Sequence, residues 1–208
     1  MANLIIWGCG GHGRVILDIA RAMGCFEKIA FYDDRGTDGQ FVSGVEVLSG
    51  GIHRMADLGF DLCVAGIGPN EIRAARYHDA ISVKLQPTTC IHPTAWISGR
   101  ASIGAGSVIM PRVVVQTDAK VGVNCILNTG VIVEHDCQIG DHAHLSPGVT
   151  LSGTVTVGEY AHLGTGAIAI PGAVVGARTI IGAGAVVLGQ LPANVTAVGI
   201  PARVISQR

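Results

Sequence analysis

The chain has 208 residues, 49% of them hydrophobic and 14% charged, which is ample for one or two buried cores. Its formal net charge of -1 argues against a protein that binds nucleic acid or an acidic membrane surface, because both need a basic face. No run of about 18 apolar residues is free of glycine and polar residues, and no basic region precedes the first apolar run. We therefore expect a soluble, cytoplasmic protein without a membrane span.

The cysteines and histidines indicate neither a disulfide framework nor a metal site. None of the six cysteines shows CxxC spacing, and Cys125 and Cys137 occupy the small position of the repeat described below. We therefore expect buried free thiols in a reducing compartment. The eight histidines include no His-x-x-x-His pair on a predicted helix and no accompanying carboxylate cluster, so we predict no metal.

Up to residue 86, apolar runs alternate with helical segments. Strands are predicted at 3–7, 29–32 and 62–67, helices at 15–23 and about 71–79, and a weaker strand candidate at 83–85. This order of strands and helices predicts a small parallel sheet that binds ligands at the carboxyl ends of its strands. Pro87 and Pro93 then lead into the second part of the chain without a flexible linker.

A glycine-rich turn, Gly8–Gly13, separates the first strand from the first helix. It matches GxGxxG, and the acidic pair Asp33-Asp34 follows about 20 residues later, as in dinucleotide-binding domains. The roughly 85 residues before the repeat are too few for both halves of a dinucleotide fold, however. Free N–H groups at a helix N-terminus bind the diphosphate of a nucleotide sugar equally well, so we favour that ligand over NAD. A purely structural tight turn is the remaining alternative.

A six-residue period runs from Ile91 to Val187. Every sixth residue is a large aliphatic, with Ala169 as the exception, and a small residue such as Ala95 or Ser107 usually stands four positions later. A period of six fits neither an α-helix nor an ordinary alternating strand. It is typical of a parallel β-helix, in which hexads must stack on one another to bury their aliphatic side chains.

This order of domains resembles the hexapeptide-repeat sugar acetyltransferases, the family typified by the sialic-acid O-acetyltransferase and the bacillosamine-pathway nucleotide-sugar N-acetyltransferases. Apart from the hexads and the glycine turn, the resemblance rests on Asp33-Asp34, 68–73, Asn128-Thr129, 134–137, His144 and 198–203. It implies an α/β plus β-solenoid architecture, with a short Rossmann-like nucleotide-sugar-binding domain at 1–86 and a left-handed parallel β-helix acetyltransferase domain at 87–208. Three hexads make one coil in that fold, so stacked partners should lie 18 positions apart.

The same resemblance implies where the ligands lie. The sugar nucleotide is expected on the first domain, at Gly10, Gly11, His12, Asp33, Asp34 and Gly68. Acetyl-CoA is expected along the later coils, at His144, Gly153, Thr165 and Ala183. Two departures from the family pattern, Gly10 where Ser is common and Asp136 where Glu is common, leave the identity of the sugar open.

His135 is the candidate catalytic base, and Asp136 is its candidate partner. Transfer of acetyl from a thioester needs a base for the proton of the acceptor and N–H donors for the oxyanion, and Gly153 is a candidate donor. A carboxylate beside His135 can fix the tautomer of its ring. Adjacent residues on a strand point to opposite faces, so this pairing requires a corner of the coil. The alternative is that both are solvated turn residues.

Of the remaining histidines of the repeat, only His144 is expected to contact a ligand. His144 and His162 are 18 positions apart and should stack on neighbouring coils, but the resemblance assigns a role only to His144. We expect His142 and His162 to be ordinary surface residues.

The resemblance also implies a homotrimer with active sites between subunits. The predicted activity is acetyl-CoA-dependent N-acetylation of a nucleotide-linked 4-amino-4,6-dideoxy sugar, and O-acetylation of a sugar such as sialic acid is the nearest alternative. A non-catalytic hexapeptide-repeat scaffold is the alternative from another class. The sequence Glu134-His135-Asp136 disfavours it.

Overall fold

The computed structural model describes residues 2–207, which form two compact units that divide between Pro93 and Thr94. Each unit contains its own buried hydrophobic residues. No helix among residues 2–207 combines the length and the apolar character that crossing a membrane requires.

The first unit is an α/β fold. Its strands are β1 (Ala2–Trp7), β2 (Phe26–Tyr32), β3 (Gln40–Val42), β4 (Val45–Leu48), β5 (Leu62–Ala65), β6 (Gln86–Pro87) and β7 (Cys90–Ile91), and its helices are α1 (Gly11–Met23), α2 (Arg54–Asp57) and α3 (Asn70–Ser82). Strands β1 to β6 form one sheet, sheet A, in the order β3-β4-β2-β1-β5-β6. Neighbours are parallel except β3 and β4, which form an antiparallel hairpin.

Strand β1 lies inside this sheet, and its sequence explains the position. Leu4, Ile5 and Ile6 are fully buried, as expected for a parallel strand whose two faces are both covered. Helix α1 ends at Gly24, which has a φ of 63° and donates its N–H to the Ala20 carbonyl. Glycine adopts this left-handed conformation without a steric penalty, so the helix stops there.

The structure confirms the predicted strands β1, β2 and β5 and the predicted helices α1 and α3, with ends that differ by a few residues. The hairpin of β3 and β4 and the short helix α2 were not predicted. The strand candidate at 83–85 is wrong, because Val83 is the C-terminal cap of α3 and Lys84 has a φ of 67°, which no strand residue adopts. The next strand begins instead at Gln86.

The second unit is a β-helix whose short strands stack into three sheets. Its strands in sheet B are Val108–Ile109, Ile126–Leu127, His144–Leu145, His162–Leu163, Ile180–Ile181, Val195–Val198 and Arg203–Gln207. Sheet C contains Trp96–Ile97, Val114–Val115, Ile132–Val133, Thr150–Leu151, Ile168–Ala169 and Val186–Val187. Sheet D contains Ser102–Ile103, Lys120–Val121, Gln138–Ile139, Thr156–Val157, Val174–Val175 and Gln190–Leu191.

Stacked strands pair in parallel at the predicted spacing of three hexads, so that Val115 lies beside Val133, for example. The spacing is two positions shorter in the last coil of sheet D, where Val175 pairs with Leu191. The six-residue period of the sequence therefore ends before the stacking does. The final two strands of sheet B are antiparallel and close the unit.

The repeated aliphatic residues form the core of the second unit. From Ile109 to Val187 they are buried, and so is Ala169, whose small side chain is the exception in the series. Ile97 and Ile103 are only half-buried, because the first coil has a neighbouring coil on one side only within this unit. Burying each large aliphatic contributes roughly 1.5–3 kcal/mol, so the hexads become stable only as a stack.

The corners of the coils use the left-handed backbone region. Asn124, Asp136, His142 and Thr154 have φ values between 53° and 62°, and they recur at multiples of the hexad. Such residues turn the chain sharply from one sheet to the next. Side chains of adjacent residues at a corner are therefore free of the strict alternation that a strand imposes.

Candidate active site

The glycine turn of the first unit connects β1 to α1. Gly8 has a φ of 107°, and a Cβ atom at Gly13 would overlap the Gly8 carbonyl, so both positions require glycine. At Gly10 and Gly11, by contrast, an added Cβ would meet nothing within 4 Å. These two glycines leave open space at the N-terminus of α1.

His12 lies in the first turn of α1. Burial, and then the positive charge of Arg73, lower the pKa of its imidazole to about 4, so the ring is neutral at neutral pH. Its Nε2 atom is buried and has no hydrogen-bond partner within residues 2–207. No side chain caps α1, and no acidic residue stands in its first turn. The helix N-terminus therefore presents N–H groups and a neutral ring that a ligand can satisfy.

Arg73 on α3 is a buried cation to which the sequence assigned no role. Its side chain is 1% exposed, and it donates to the Gly68 carbonyl at 2.7 Å and to Oδ1 of Asn70 at 3.0 Å. These hydrogen bonds hold the loop after β5, where the predicted substrate residue Gly68 lies, against the start of α3. A charged residue in a helical segment looks solvated in sequence, so only the packing reveals this role.

Asp33 follows β2 and is held by the backbone of the glycine turn. Its Oδ2 accepts from the Cys9 N–H at 3.2 Å and lies 3.3 Å from the Cys9 thiol, while its Oδ1 accepts from the Arg35 N–H at 3.0 Å. Burial by itself would raise the pKa of Asp33, but these donors outweigh it and the pKa is lowered. Asp33 therefore ties the carboxyl end of β2 to the turn.

Asp34 lies at the centre of a cluster of aromatic and charged side chains that the sequence did not predict. It accepts from Tyr32 Oη at 3.0 Å and from Trp7 Nε1 at 3.4 Å, and it pairs with Arg76 at 3.3 Å. The Arg76 guanidinium lies over the Trp7 ring, 5.1 Å from its centroid. The cluster stands at the carboxyl ends of β1 and β2, the edge at which parallel sheets bind ligands.

In the second unit, His135 and Asp136 form a hydrogen-bonded pair at a corner after Val133. The Nδ1–Oδ2 distance is 2.8 Å, and Asp136 has a φ of 60°, so the predicted corner is confirmed. The Asp136 N–H donates to the Thr117 carbonyl at 3.1 Å, which anchors the corner to the preceding coil. With Nδ1–H donated to the carboxylate, Nε2 of His135 carries the lone pair that a base needs.

The imidazole of His135 lies over Gly153 on the next coil. A Cβ at Gly153 would stand 2.5 Å from Nε2 of His135, so only glycine leaves room for the ring in this position. The N–H groups of Ser152 and Thr154 donate to the carbonyls of Ala169 and His135. The Gly153 N–H, by contrast, makes no backbone hydrogen bond within residues 2–207. An N–H available beside the base suits the predicted oxyanion donor.

His144 and His162 stack as their spacing predicts. Their rings are parallel within 6°, and their centroids are 4.7 Å apart. Nε2 of His162 lies 3.0 Å from Oγ of Ser146, so His162 is half-buried and engaged rather than freely solvated. The spacing of three hexads was the signal for this contact.

The prediction of a surface position for His142 is wrong. Its ring is 5% exposed, its Nδ1 lies 2.9 Å from Nδ2 of Asn124, and it packs on Tyr160 with centroids 4.7 Å apart. Arg178 lies over the Tyr160 ring at 4.1 Å. These four residues form a column in which each is one full coil from the next. The stacking of coils, rather than local polarity, therefore determines the burial of His142.

Thr165 and Ala183, predicted to contact acetyl-CoA, occupy the same position on adjacent coils. Both are exposed, whereas Gly153 is buried. The N–H of Gly184 donates to the Thr165 carbonyl at 2.8 Å, so the two coils are bonded at this position. No group of three His, Cys, Asp or Glu residues within 2–207 is arranged to hold a metal ion.

Two family models match the chain. The PglD N-terminal domain matches residues 3–80, and the bacterial transferase hexapeptide model of six repeats matches residues 118–153. A search of the curated proteins found no match.

Several solved structures are similar over the whole chain. Perosamine N-acetyltransferase from Caulobacter crescentus, solved as a histidine-to-asparagine mutant with CoA and GDP-perosamine, has 36% sequence identity and a TM-score of 0.94, covering 100% of this chain and 98% of that chain. The acetyltransferase domain of PglB from Neisseria gonorrhoeae has 36% identity and a TM-score of 0.91, covering 99% of this chain and 100% of that one. WeeI from Acinetobacter baumannii has 28% identity and a TM-score of 0.89, with coverage of 99% and 100%.

The 36% identity extends over nearly the full length of these two relatives, so they share both units of this chain in the same order. The solenoid of the second unit is accordingly a left-handed β-helix. The chain belongs to the hexapeptide-repeat acetyltransferases, the family of perosamine N-acetyltransferase and the acetyltransferase domain of PglB.

Proposed function

We propose that this protein transfers the acetyl group of acetyl-CoA to the amine of a nucleotide-linked 4-amino-4,6-dideoxy sugar, with His135 as general base. The observation that carries the proposal is the His135–Asp136 pair, with an Nδ1–Oδ2 distance of 2.8 Å, seated over Gly153. The relatives support the substrate class, because perosamine N-acetyltransferase was solved with CoA and GDP-perosamine and the PglB domain with acetyl coenzyme A.

In the proposed reaction the amine attacks the thioester carbonyl directly. Nε2 of His135 takes the proton of the attacking amine, and Asp136 stabilises the imidazolium that forms. The N–H of Gly153 donates to the oxyanion. The C–N bond forms, the C–S bond breaks, and the proton on His135 passes to the departing thiolate of coenzyme A.

We assign the nucleotide sugar to the glycine turn of the first unit. The open space at Gly10 and Gly11, the uncapped N-terminus of α1 and the Nε2 atom of His12 all suit the oxygens of a diphosphate. The Asp34 cluster stands at the carboxyl end of β2 and offers carboxylate and aromatic groups to the nucleoside. Gly68 and Asp33 complete the assignment as residues that shape this edge.

We assign acetyl-CoA to the later coils, at His144, Gly153, Thr165 and Ala183. The exposed Thr165 and Ala183 and the glycine at 153 let an extended ligand approach the backbone closely. The acceptor group of the sugar is either an amine or a hydroxyl. The similar perosamine enzyme from Caulobacter crescentus is an N-acetyltransferase, which favours the amine.

An acetylation assay tests this function, using acetyl-CoA and a panel of GDP-, UDP- and dTDP-linked 4-amino sugars with the corresponding hydroxyl sugars. The protein should acetylate an amine of this panel, and Gly11→Phe should lose that activity at the same substrate concentration. A Cβ added at Gly11 would meet nothing within 4 Å, so the variant should fold while its ring fills the space assigned to the diphosphate. Calorimetry should show sugar-nucleotide binding weakened by at least about tenfold, roughly 1.4 kcal/mol, and unchanged acetyl-CoA binding.

Ala22→Phe is the matched control, because it adds the same ring to an exposed position of the same helix. It should bind both substrates as the unaltered protein does. Transfer to the hydroxyl sugar alone would establish O-acetylation instead. Equal sugar-nucleotide binding by Gly11→Phe and the unaltered protein would refute the assignment of the diphosphate to this turn.

We propose that three copies assemble through the outer face of sheet C. The outward residues of this sheet are mostly apolar, and they are Trp96, Val114, Ile132, Thr150, Ile168 and Val186. Trp96 is 62% exposed and Ile168 is 42% exposed. The outward residues of sheet D are mostly polar, with Ser102, Lys120, Gln138, Thr156 and Gln190 among them. An apolar strip on one face and a polar strip on the next favour a second copy of the chain on sheet C.

Ile168→Glu should therefore break the assembly, while Thr156→Glu, which places the same charge on sheet D, should leave it intact. Burying an unpaired carboxylate in an apolar interface costs several kcal/mol. Light scattering after size-exclusion chromatography should give a trimer for the unaltered protein and for Thr156→Glu, and a smaller species for Ile168→Glu. A monomeric unaltered protein with full activity would contradict the proposal.

We also place the enzyme in a reducing compartment, the cytoplasm. The cysteines of the described chain are free thiols, and burial raises the pKa of Cys63 and Cys90 to about 12, so both stay protonated. Cys125 and Cys137 are buried as predicted, but Cys25 is exposed, against the expectation of buried thiols. An exposed free thiol persists most readily where disulfides do not form.

A further inference from the structure

A column of charged side chains runs along the corner that carries Asp136. Arg100, Asp118 and Asp136 stand at the same position of three successive coils, and the strands that follow them pair in that register. Asp118 and Asp136 have φ values of 59° and 60°, so their backbones match. The hydrogen bond from the Asp136 N–H to the Thr117 carbonyl joins their two corners.

Arg100 binds both carboxylate oxygens of Asp118. Its Nη2 lies 2.8 Å from Oδ1 and 3.0 Å from Oδ2, and its Nε lies 3.0 Å from Oδ1 and 3.2 Å from Oδ2. This bidentate geometry is the strongest that an arginine makes with a carboxylate. Hydrogen bonding to Asp118 raises the pKa of Arg100, and the negative charges of Asp118 and Asp136 add to that increase.

The other charged groups on the coils around His135 are few. At the corner of His135, its own coil carries Glu134 and Asp136, and the preceding coil carries Asp118 and Lys120, whereas Arg112 and Asp141 lie at other corners. The following coil presents only the uncharged residues 152–154 beneath the ring. The pairing of Arg100 with Asp118 therefore decides whether one further negative charge acts on the His135–Asp136 pair from the preceding coil.

We infer that Arg100 and Asp118 are positioning residues that set the basicity of His135 through Asp136, by keeping the charge of Asp118 cancelled. A second uncompensated carboxylate beside Asp136 stabilises the imidazolium, and His135 then stays protonated to higher pH. A protonated ring cannot accept the proton of the amine. The inference about catalysis rests on the proposed role of His135 as base.

Three variants test this with opposite signs. Arg100→Gln leaves Asp118 uncompensated, so the pKa of His135 should rise and the acidic limb of the kcat/KM profile should move to higher pH. Asp118→Asn leaves the guanidinium of Arg100 uncompensated, so the pKa of His135 should fall and the acidic limb should move to lower pH. Each shift should be a fraction of a pH unit in low salt, because these side chains are exposed to water, and smaller in high salt. The double variant should return to the unaltered value.

The pKa of His135 is measured by NMR titration of its imidazole, with the resonance identified by its disappearance in His135→Gln. Arg112→Gln is the matched control, since it removes the same charge at a different corner of the coil and should leave the titration in place. Shifts of the same sign in both single variants, or none in either, would overturn the inference. The NMR titration tests this inference independently of activity. A His135→Ala variant with normal turnover would refute only the proposed role of His135 as base, and not the effect of Arg100 and Asp118 on its pKa.

Discussion

Replacing His135 with alanine is expected to lower kcat for acetyl transfer by about 10² to 10⁴, the usual contribution of a positioned general base. The attacking amine must lose a proton as it bonds to the thioester carbon, and the ring acts mainly in the transition state. The KM values for both substrates should therefore change little. Steady-state assays at saturating acetyl-CoA and saturating sugar nucleotide measure the effect.

Two further variants separate the base from its partner. His135→Asn keeps a polar side chain without the basicity, so it should be nearly as poor as alanine. Asp136→Asn should cost less, because it removes the carboxylate that orients Nδ1 but leaves the imidazole in place. If His135→Ala kept most of its turnover at saturating substrates, the base would lie elsewhere, or solvent would deprotonate the amine before it binds.

Replacing Gly153 with alanine should lower kcat by about 10-fold to 100-fold, although it adds only one methyl group. Its Cβ would stand 2.5 Å from Nε2 of His135, and the imidazole must swing away because the backbone on either side is tied into coils. A displacement of about 1 Å is enough for such a loss, since proton transfer depends on close alignment. Steady-state kinetics measure kcat, and thermal unfolding measures stability.

Gly99→Ala is the matched control for this substitution. Gly99 occupies the same corner position as His135 and Gly153 on an earlier coil, and an added Cβ there meets nothing within 4 Å. It should keep both the kcat and the melting temperature of the unaltered protein. A Gly153→Ala enzyme with unaltered kcat would show that the ring does not need this space.

The sequence by itself determined the two-part architecture. A large aliphatic at every sixth residue fits neither a helix nor an alternating strand, so the stack of coils follows from the period. The register of three hexads followed from the family resemblance. The pairing of His144 with His162 followed from the same arithmetic. In the first unit, the apolar runs and the glycine turn predicted β1, β2, β5 and α1, because local patterning specifies elements that are buried or capped nearby.

The sequence also proposed His135 and Asp136, an adjacent base and carboxylate, as the catalytic pair, a role that stays a prediction. Its failures concern residues whose surroundings come from distant parts of the chain. Arg73 lies in a helical segment and looks solvated, yet it is 1% exposed because the loop after β5 folds over it. His142 looks like a turn residue, yet the coils above and below enclose its ring.

The tertiary structure alone decided how the coils act on one another at the corner of His135. Gly153 leaves room for the imidazole, and Arg100 cancels the charge of Asp118, through contacts that the winding of the chain creates between residues one coil apart. A repeat predicts which positions stack, but the reach of each side chain depends on its rotamer and on the corner geometry. For that reason the period of the sequence predicted the solenoid, whereas the surroundings of the base required the folded coils.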